Sequence, residues 1–363
     1  MHLWKYVIIK HMFEFGKNIF LGLDVGTSSI KIAEISVIGD KAILTNYAWM
    51  PIEGLARKDG YNSSFFDVAL PKHIKRIVSE SGLKGKNTYV SIPAFGGLVT
   101  LIDFPQMSKE DIGQAIKFEA HKYIPISLDE VAISWDIVGE EKGGGKGDKI
   151  QVLLVAASKN KVVKYENLVK NSGLKLKSIE IEIFSMANSL IGNDNGTFLI
   201  IDIGSRVCNI ILVSRGLIIA NRNIDSGGND LTKTIANAMK IDDGRAESLK
   251  ISTRNFFSRE SSISFPSLEI ITGEASRLIE SSVRNGRISK IDAVILSGGS
   301  SKLAGIVEYI SKNLGVKAII GNPLGRVGYD KRLSPLLDNI KNQFSVCIGL
   351  ALKGAEEYIN GKK

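Results

Sequence analysis

One short pattern occurs twice in this chain, and the repeat limits the possible folds more than any other feature. Ile19–Val25 is an apolar run leading into Asp24-Val-Gly26-Thr27-Ser28-Ser29, and Thr197–Ile203 leads into Asp202-Ile-Gly204-Ser205-Arg206. Each copy continues in the same way. A second strand-like segment follows (Ser29–Ser36, Val207–Val213), then a turn (Gly39-Asp40, Arg215-Gly216), then a third (Ala42–Trp49, Leu217–Asn223). Short apolar or alternating runs bounded by turn residues mark strands. The two aspartates stand 178 residues apart, so the repeat is a duplicated half-molecule and not a short solenoid period. A length of 363 residues accommodates it, with room for roughly two to three domains.

The loops suit a nucleotide. Gly26 and Gly204 let the backbone turn tightly beside an anion. Successive N–H groups and the hydroxyls of Thr27, Ser28, Ser29 and Ser205 can surround phosphate oxygens. Asp24 and Asp202 would repel phosphate directly, but they can hold a magnesium ion through water. Lys31 would offset phosphate charge. A third loop, Ser297-Gly298-Gly299-Ser300-Ser301-Lys302, follows the buried strand Ala293–Leu296 and leads at once into a helix with Leu303, Ile306, Val307, Ile310 and Leu314 at helical spacing. It would bring backbone close to a flat base, with a helix N-terminus facing anionic groups. Gly227 and Gly228 open another helix and join the candidate ligand-binding set, as do Gly298, Gly299, Ser300 and Lys302. A single Asp-x-Gly also closes plain turns, and Gly298-Gly299 alone suits a plain strand-to-helix turn. Two copies plus the third loop favour the nucleotide.

Other chemistries are excluded or unsupported. The chain has no G-x-x-x-x-G-K-[ST], no G-x-G-x-x-G after a strand, no G-x-S-x-G and no H-E-x-x-H. Cys208 and Cys347 lie in apolar runs and read as small core residues. The histidines (His2, His11, His73, His121) lack metal-ligand spacing. A net charge of +9 would suit nucleic acid or an anionic surface. No block of five or six like charges occurs, which favours solvated faces and no nucleic-acid partner. No apolar stretch reaches the ~18 residues of a membrane span, and a reducing cytoplasm is the expected compartment. Trp4, Val7, Ile8, Met12, Phe15 and Ile19 form a helical stripe that would suit a membrane surface. A start at Met12 behind a dispensable leader stands beside that reading.

The middle of the chain is a separate module. Ser108-Lys-Glu-Asp111 is a capping box for a helix to about Ile124. Val131–Val138 alternates as a strand, residues 143–147 read as a flexible hairpin loop, Ile150–Ala157 is a strand and Lys159–Asn171 a helix. Ser63–Ser81 reads as a helix broken near Pro71.

The three glycine loops, in this order, resemble the phosphate and adenosine motifs of the actin/Hsp70/sugar-kinase superfamily. The module sharpens the likeness. Asp103-Phe-Pro-Gln-Met-Ser-Lys-Glu-Asp111 and the Phe118-Glu119-Ala120, Tyr123-Ile124-Pro125 and Leu128-Asp129-Glu130 groups resemble the type IV pilus assembly protein PilM family. So do Gly321-Asn-Pro323 and Phe344–Gly354. The resemblance covers about residues 13–357.

It implies an α/β, actin-like ATPase fold of FtsA type. The first RNase-H-like subdomain would be 19–93 with 174–192, and the FtsA-like insert 94–173. The second RNase-H-like subdomain would be 196–226 with 288–357, and a helical subdomain, 227–287, would lie over the cleft. It further implies ATP and Mg2+ as cofactors. The implied role is a cytoplasmic adaptor at the inner face of the inner membrane. Such an adaptor binds the N-terminal tail of PilN between the first subdomain and the insert, and couples the membrane platform to the pilus motors. Membrane association would come through the partner, and self-association is left open. An FtsA-like cytoskeletal tether and a small-molecule kinase are the alternatives. The second loop continues as Ser205-Arg206-Val207, without the usual extra glycine. Glu119 reads as a surface or partner residue, and Glu180 and Glu182 alternate like exposed strand positions. With no base among them, nucleotide binding is expected ahead of efficient hydrolysis.

Overall fold

The computed structural model describes residues 9–10, 18–52, 64–124, 126–141, 149–258 and 263–361. The apolar stripe at residues 4–15 lies outside them except for the backbone of Ile9–Lys10, and so does the loop 143–147.

The first half begins with β1 (Ile9–Lys10), β2 (Ile19–Val25), β3 (Ser29–Ile38) and β4 (Lys41–Pro51). Then come α1 (Leu70–Glu80) and β5 (Asn87–Ile92). The inserted module comprises β6 (Gly97–Pro105), α2 (Lys109–Ala120), β7 (Val131–Glu141) and β8 (Lys149–Ser158). α3 (Lys159–Asn171) and β9 (Lys175–Ile181) return to the first sheet, and α4 (Glu182–Leu190) leads out of it. The second half has β10 (Thr197–Ile203), β11 (Cys208–Ser214), β12 (Leu217–Ile224), α5 (Gly228–Met239), α6 (Asp243–Lys250) and α7 (Pro266–Arg284). It closes with β13 (Ala293–Ser297), α8 (Ile306–Leu314), β14 (Ala318–Ile320), α9 (Ser334–Ile340) and α10 (Ser345–Asn360).

The repeat read from sequence is a repeat of topology. The first sheet runs β1-β9-β5-β2-β3-β4 and the second β12-β11-β10-β13-β14. Apart from β1, both are an antiparallel meander whose first strand pairs in parallel with the fourth, and the fourth with the fifth. The module has its own three-stranded sheet, β6-β8-β7. Ile112, Ile116 and Ala120 of α2, spaced at the helical period, cover that sheet at Ile102, Val152 and Leu154.

Each face of the first sheet has its own helices. α1 and α3 cover one side, with Ile74, Ile77, Val162, Tyr165 and Leu168 packed on Leu21, Leu23, Ile30 and Ile179. α3, grouped with the insert in the sequence reading, thus shares the core of the first sheet. α4 and α10 cover the other side. α10 lies so close to β2 and α4 that a Cβ at Gly22 would overlap the Cys347 carbonyl, and one at Gly349 the Ser185 carbonyl.

Two local expectations change. The break expected near Pro71 is a change of helix type and not an end: a π-helical segment (Phe65–Ala69) passes directly into α1, with Pro71 in its first turn. The helix after Lys302 begins only at Ile306. A short 3-10 turn (Gly299–Lys302) and Gly305 at φ +84° intervene, where Asn255 crowds the backbone.

Candidate nucleotide cleft

The two Asp-x-Gly loops face each other. In the first, the Gly26 N–H donates to the Ser29 carbonyl at 3.0 Å, and in the second the Gly204 N–H donates to Val207 at 3.1 Å. Both glycine amides therefore serve the turn, which leaves the hydroxyls at the loop tips. Those tips meet: Thr27 Oγ1 and Ser205 Oγ are 2.7 Å apart. Ser29 is buried, and the Ser28 carbonyl accepts from Ile52 N–H at 2.8 Å, which ties the first loop to the end of β4.

Behind the tips lies a cluster of charge. Asp24 is opposite Lys31 in the β2–β3 register, and Lys31 Nζ sits 3.1 Å from Asp24 Oδ2. Burial alone would depress this ammonium, but Asp24, and more weakly Asp202, hold its pKa above the ordinary value. Asp202 is pushed up to about 6, by burial first and by Asp24; Ser297 and Lys31 pull the other way. Glu182, the first residue of α4, is pushed up to about 8 by burial, with Asp24 and Asp202 adding repulsion. Its carboxylate accepts from the Ala94 N–H at 2.8 Å and from Asn209 Nδ2 at 3.0 Å. The buried Asn209 Oδ1 has no partner. Three carboxylates thus share this buried region with one lysine, and burial first, then their mutual repulsion, raises the pKa values of Glu182 and Asp202.

A divalent cation fits that imbalance. Among the described residues no three of His, Cys, Asp or Glu converge tightly enough to bind a metal directly. A divalent ion in this region would be held by Asp24 and Asp202 through its water shell.

Further along the cleft, Gly227 and Gly228 allow close packing. A Cβ at Gly227 would crowd the Gly204 and Ser205 carbonyls. Their amides are taken, Gly227 N–H by Asp230 Oδ2 at 3.0 Å and Gly228 N–H by the Gly204 carbonyl at 2.8 Å. The N-terminus of α5 is thereby pinned to the second loop. Gly298 has φ +85°, and any side chain there would collide with Ile203. Gly299 faces the Gln343 side chain, and Ser300 packs against Gly228. Lys302 turns away to the Asn339 carbonyl in α9. Arg206 pairs with Asp225 at 3.1 Å on the surface.

Two acids lie elsewhere than their alternation in sequence predicts, and two further residues join the site. Glu180 and Glu182 are not exposed strand positions. Glu180 is buried with Lys353 at 2.6 Å and accepts from Ser185. β9 ends at Ile181, so Glu182 belongs to a helix start, where an acid is favoured. Asn209 was legible as the residue seven after Asp202, as Lys31 is seven after Asp24. Lys250 is buried and donates to the Gly228 carbonyl at 3.0 Å and Thr232 Oγ1 at 2.8 Å. It sits 2.7 Å from Glu247. No sequence periodicity marks it.

Two like halves with facing Asp-x-Gly loops, joined by α4 and α10, define an actin-like ATPase fold. The family described as "Type IV pilus assembly protein PilM" matches residues 22–355, and this chain belongs to it. A solved "PilM-PilN type IV pilus biogenesis complex" superposes with a TM-score of 0.75 at 26% identity, covering 92% of this chain and 98% of that one. The cell division protein FtsA of Pseudomonas aeruginosa is 23% identical over 390 residues, covering 95% of this chain and 91% of FtsA. MreB5 of Spiroplasma citri bound to AMPPNP shares the fold, with a TM-score of 0.52 at 15% identity, over 95% of this chain and 99% of that one. No described helix is long and apolar enough to cross a membrane.

Proposed function

We propose that this chain is an ATP-binding adaptor of type IV pilus assembly. Mg-ATP binds between the two Asp-x-Gly loops, and the N-terminal tail of a PilN-type membrane protein docks between the first subdomain and the insert. The observation that carries the reading is the convergence of Thr27 and Ser205 (2.7 Å) over Asp24, Lys31, Asp202 and Glu182. Family membership and the 26% identical PilM–PilN complex support the partner.

In the cleft, Asp24 and Asp202 hold the ion's water shell and Lys31 screens phosphate. The Thr27, Ser28 and Ser205 hydroxyls receive phosphate oxygens once the Thr27–Ser205 contact opens. Gly298 and Gly299 offer a flat backbone to the base. Bound magnesium would neutralise phosphate charge and draw the two loops together. A ligand held by both halves shifts their closure equilibrium. The α4–α10 packing would carry that shift toward the membrane platform and, beyond it, the motors. The peripheral position at the inner membrane follows from the partner.

Calorimetric titration of a PilN-type N-terminal peptide, with and without Mg-ATP, tests this. Saturable binding that changes with Mg-ATP is expected. Absence of binding in both states, with ATP still bound, would refute the adaptor and favour an FtsA-like tether or a kinase.

A further inference from the structure

The sequence spreads its positive charge, but the fold collects it. α1 and α3 lie side by side on the outside of the first sheet, their apolar edges in one core. Their outward sides expose Lys72, Lys75 and Arg76 on α1 and Lys159, Lys164 and Lys170 on α3. Together the two helices hold seven cationic side chains against two carboxylates. That net of five is more than half of the chain's +9. Arg76 meets Glu80 at 3.5 Å in solvent, a contact that neutralises little. The neighbouring insert has the opposite sign, with ten Asp or Glu and six Lys over residues 97–158. The molecule is therefore charge-polarised about the junction of insert and first subdomain.

Two further features point to the kind of partner. Val163, within α3, is 50% exposed among these cations, and Val68, just ahead of α1 and beside the exposed Asp67, is 54% exposed. Apolar side chains within a basic face suit a headgroup boundary. Six of the seven cations are Lys. Lysine is a compact point charge suited to a diffuse field, whereas arginine forks select individual phosphates. Neither helix exposes a Phe, Tyr or Trp on which bases could stack.

We propose that the α1–α3 face docks on the anionic lipid surface of a membrane. Lys72, Lys75, Arg76, Lys159, Lys164 and Lys170 face the headgroups and the two valines enter the interface. Lys161 at the start of α3 lies over the Phe95 ring at 5.0 Å, at the root of the insert. The docking face thus borders the junction assigned above to a partner's tail. The proposal itself requires neither nucleotide nor tail.

Flotation of the full chain with lipid vesicles tests it. Binding is expected to phosphatidylglycerol-containing vesicles and not to pure phosphatidylcholine, and to be lost in high salt. Each lysine neutralised should lower partitioning about fivefold, so Lys75→Gln with Lys164→Gln should lower it roughly twenty-five-fold. Lys233→Gln with Lys312→Gln, on the second half, should leave it unchanged. Equal binding to uncharged vesicles would overturn the proposal. Wild-type binding by the Lys75/Lys164 variant would also overturn it, since the attachment would then lie elsewhere, residues 1–17 included. A DNA duplex that displaces the vesicles, and is itself lost in that variant, would make this a nucleic-acid face instead.

Discussion

The two halves of the cleft share a backbone and differ in charge. Each places an aspartate two residues before a glycine whose N–H closes the turn, and each sets that aspartate across from the residue seven positions on. In the first half that residue is Lys31, 3.1 Å from Asp24. In the second it is Asn209, whose amide serves Glu182. Asp24 therefore has a cation beside it, whereas Asp202 has hydrogen bonding and a pKa near 6. Duplication kept the geometry, and the cross-strand neighbour diverged. The positive charge that the second half lacks is what a divalent ion would bring.

A second asymmetry lies two residues before each aspartate, where Gly22 in β2 corresponds to Ile200 in β10. α10 presses its backbone onto Gly22. The second strand keeps a buried isoleucine there, within the core shared by α4 and α10.

Removing the cation from the first half should cost most. Lys31→Met leaves a buried Asp24 unpaired, and roughly 3 kcal/mol of stability should vanish in urea unfolding. A loss below about 1 kcal/mol would contradict the pairing. Next, Gly22→Ala should cost about 2 kcal/mol through overpacking, and Ile200→Val about 1 kcal/mol through a small cavity. Equal costs would erase the asymmetry.

The third effect is a pH slope. Glu182 and Asp202 have folded pKa values of about 8 and 6, above their unfolded values. The folded state then binds protons that the unfolded state releases, so the contribution of these two groups to stability is full below their unfolded pKa values and is lost as pH rises through about 6 and then 8. Glu182→Gln should flatten the slope between about pH 6 and 8, which is on the order of 1 kcal/mol per unit. An unchanged slope in that variant would assign the protons elsewhere. By the same linkage, magnesium binding should release protons. Finally, Asn209→Lys should make the second half resemble the first and lower the Asp202 titration by about one unit. Carboxyl NMR showing no shift would mean that the register does not control this charge.

What the sequence made legible follows from which forces are local. Apolar runs and turn residues locate β2, β10 and their partners, and the predicted limits of α3 match those observed, because hydrophobic period is written along the chain. Glu182 was missed because alternation through Ile179, Glu180 and Ile181 carries on by parity. It gives no sign that the strand stops at Ile181 and a helix begins. Lys250 lies in a polar stretch, and its burial depends on the Gly228 carbonyl brought in from α5. Gly227 and Gly228 were recognised as special positions, but only the fold shows their amides spent on the protein itself. The basic face has no local signal for the same reason: Lys75 and Lys164 are distant in sequence, and their helices meet only after the sheet forms.

The most direct test of the shared cleft is ATP titration of the wild type, Asp24→Asn, Asp202→Asn and the double variant, each with and without magnesium. If both loops hold one ion through its waters, each single variant should lose at least about tenfold of the magnesium-dependent affinity. The double variant should lose little more, because the ion is already gone. Wild-type affinity in either single variant, or losses that simply multiply, would contradict a single site built from both halves.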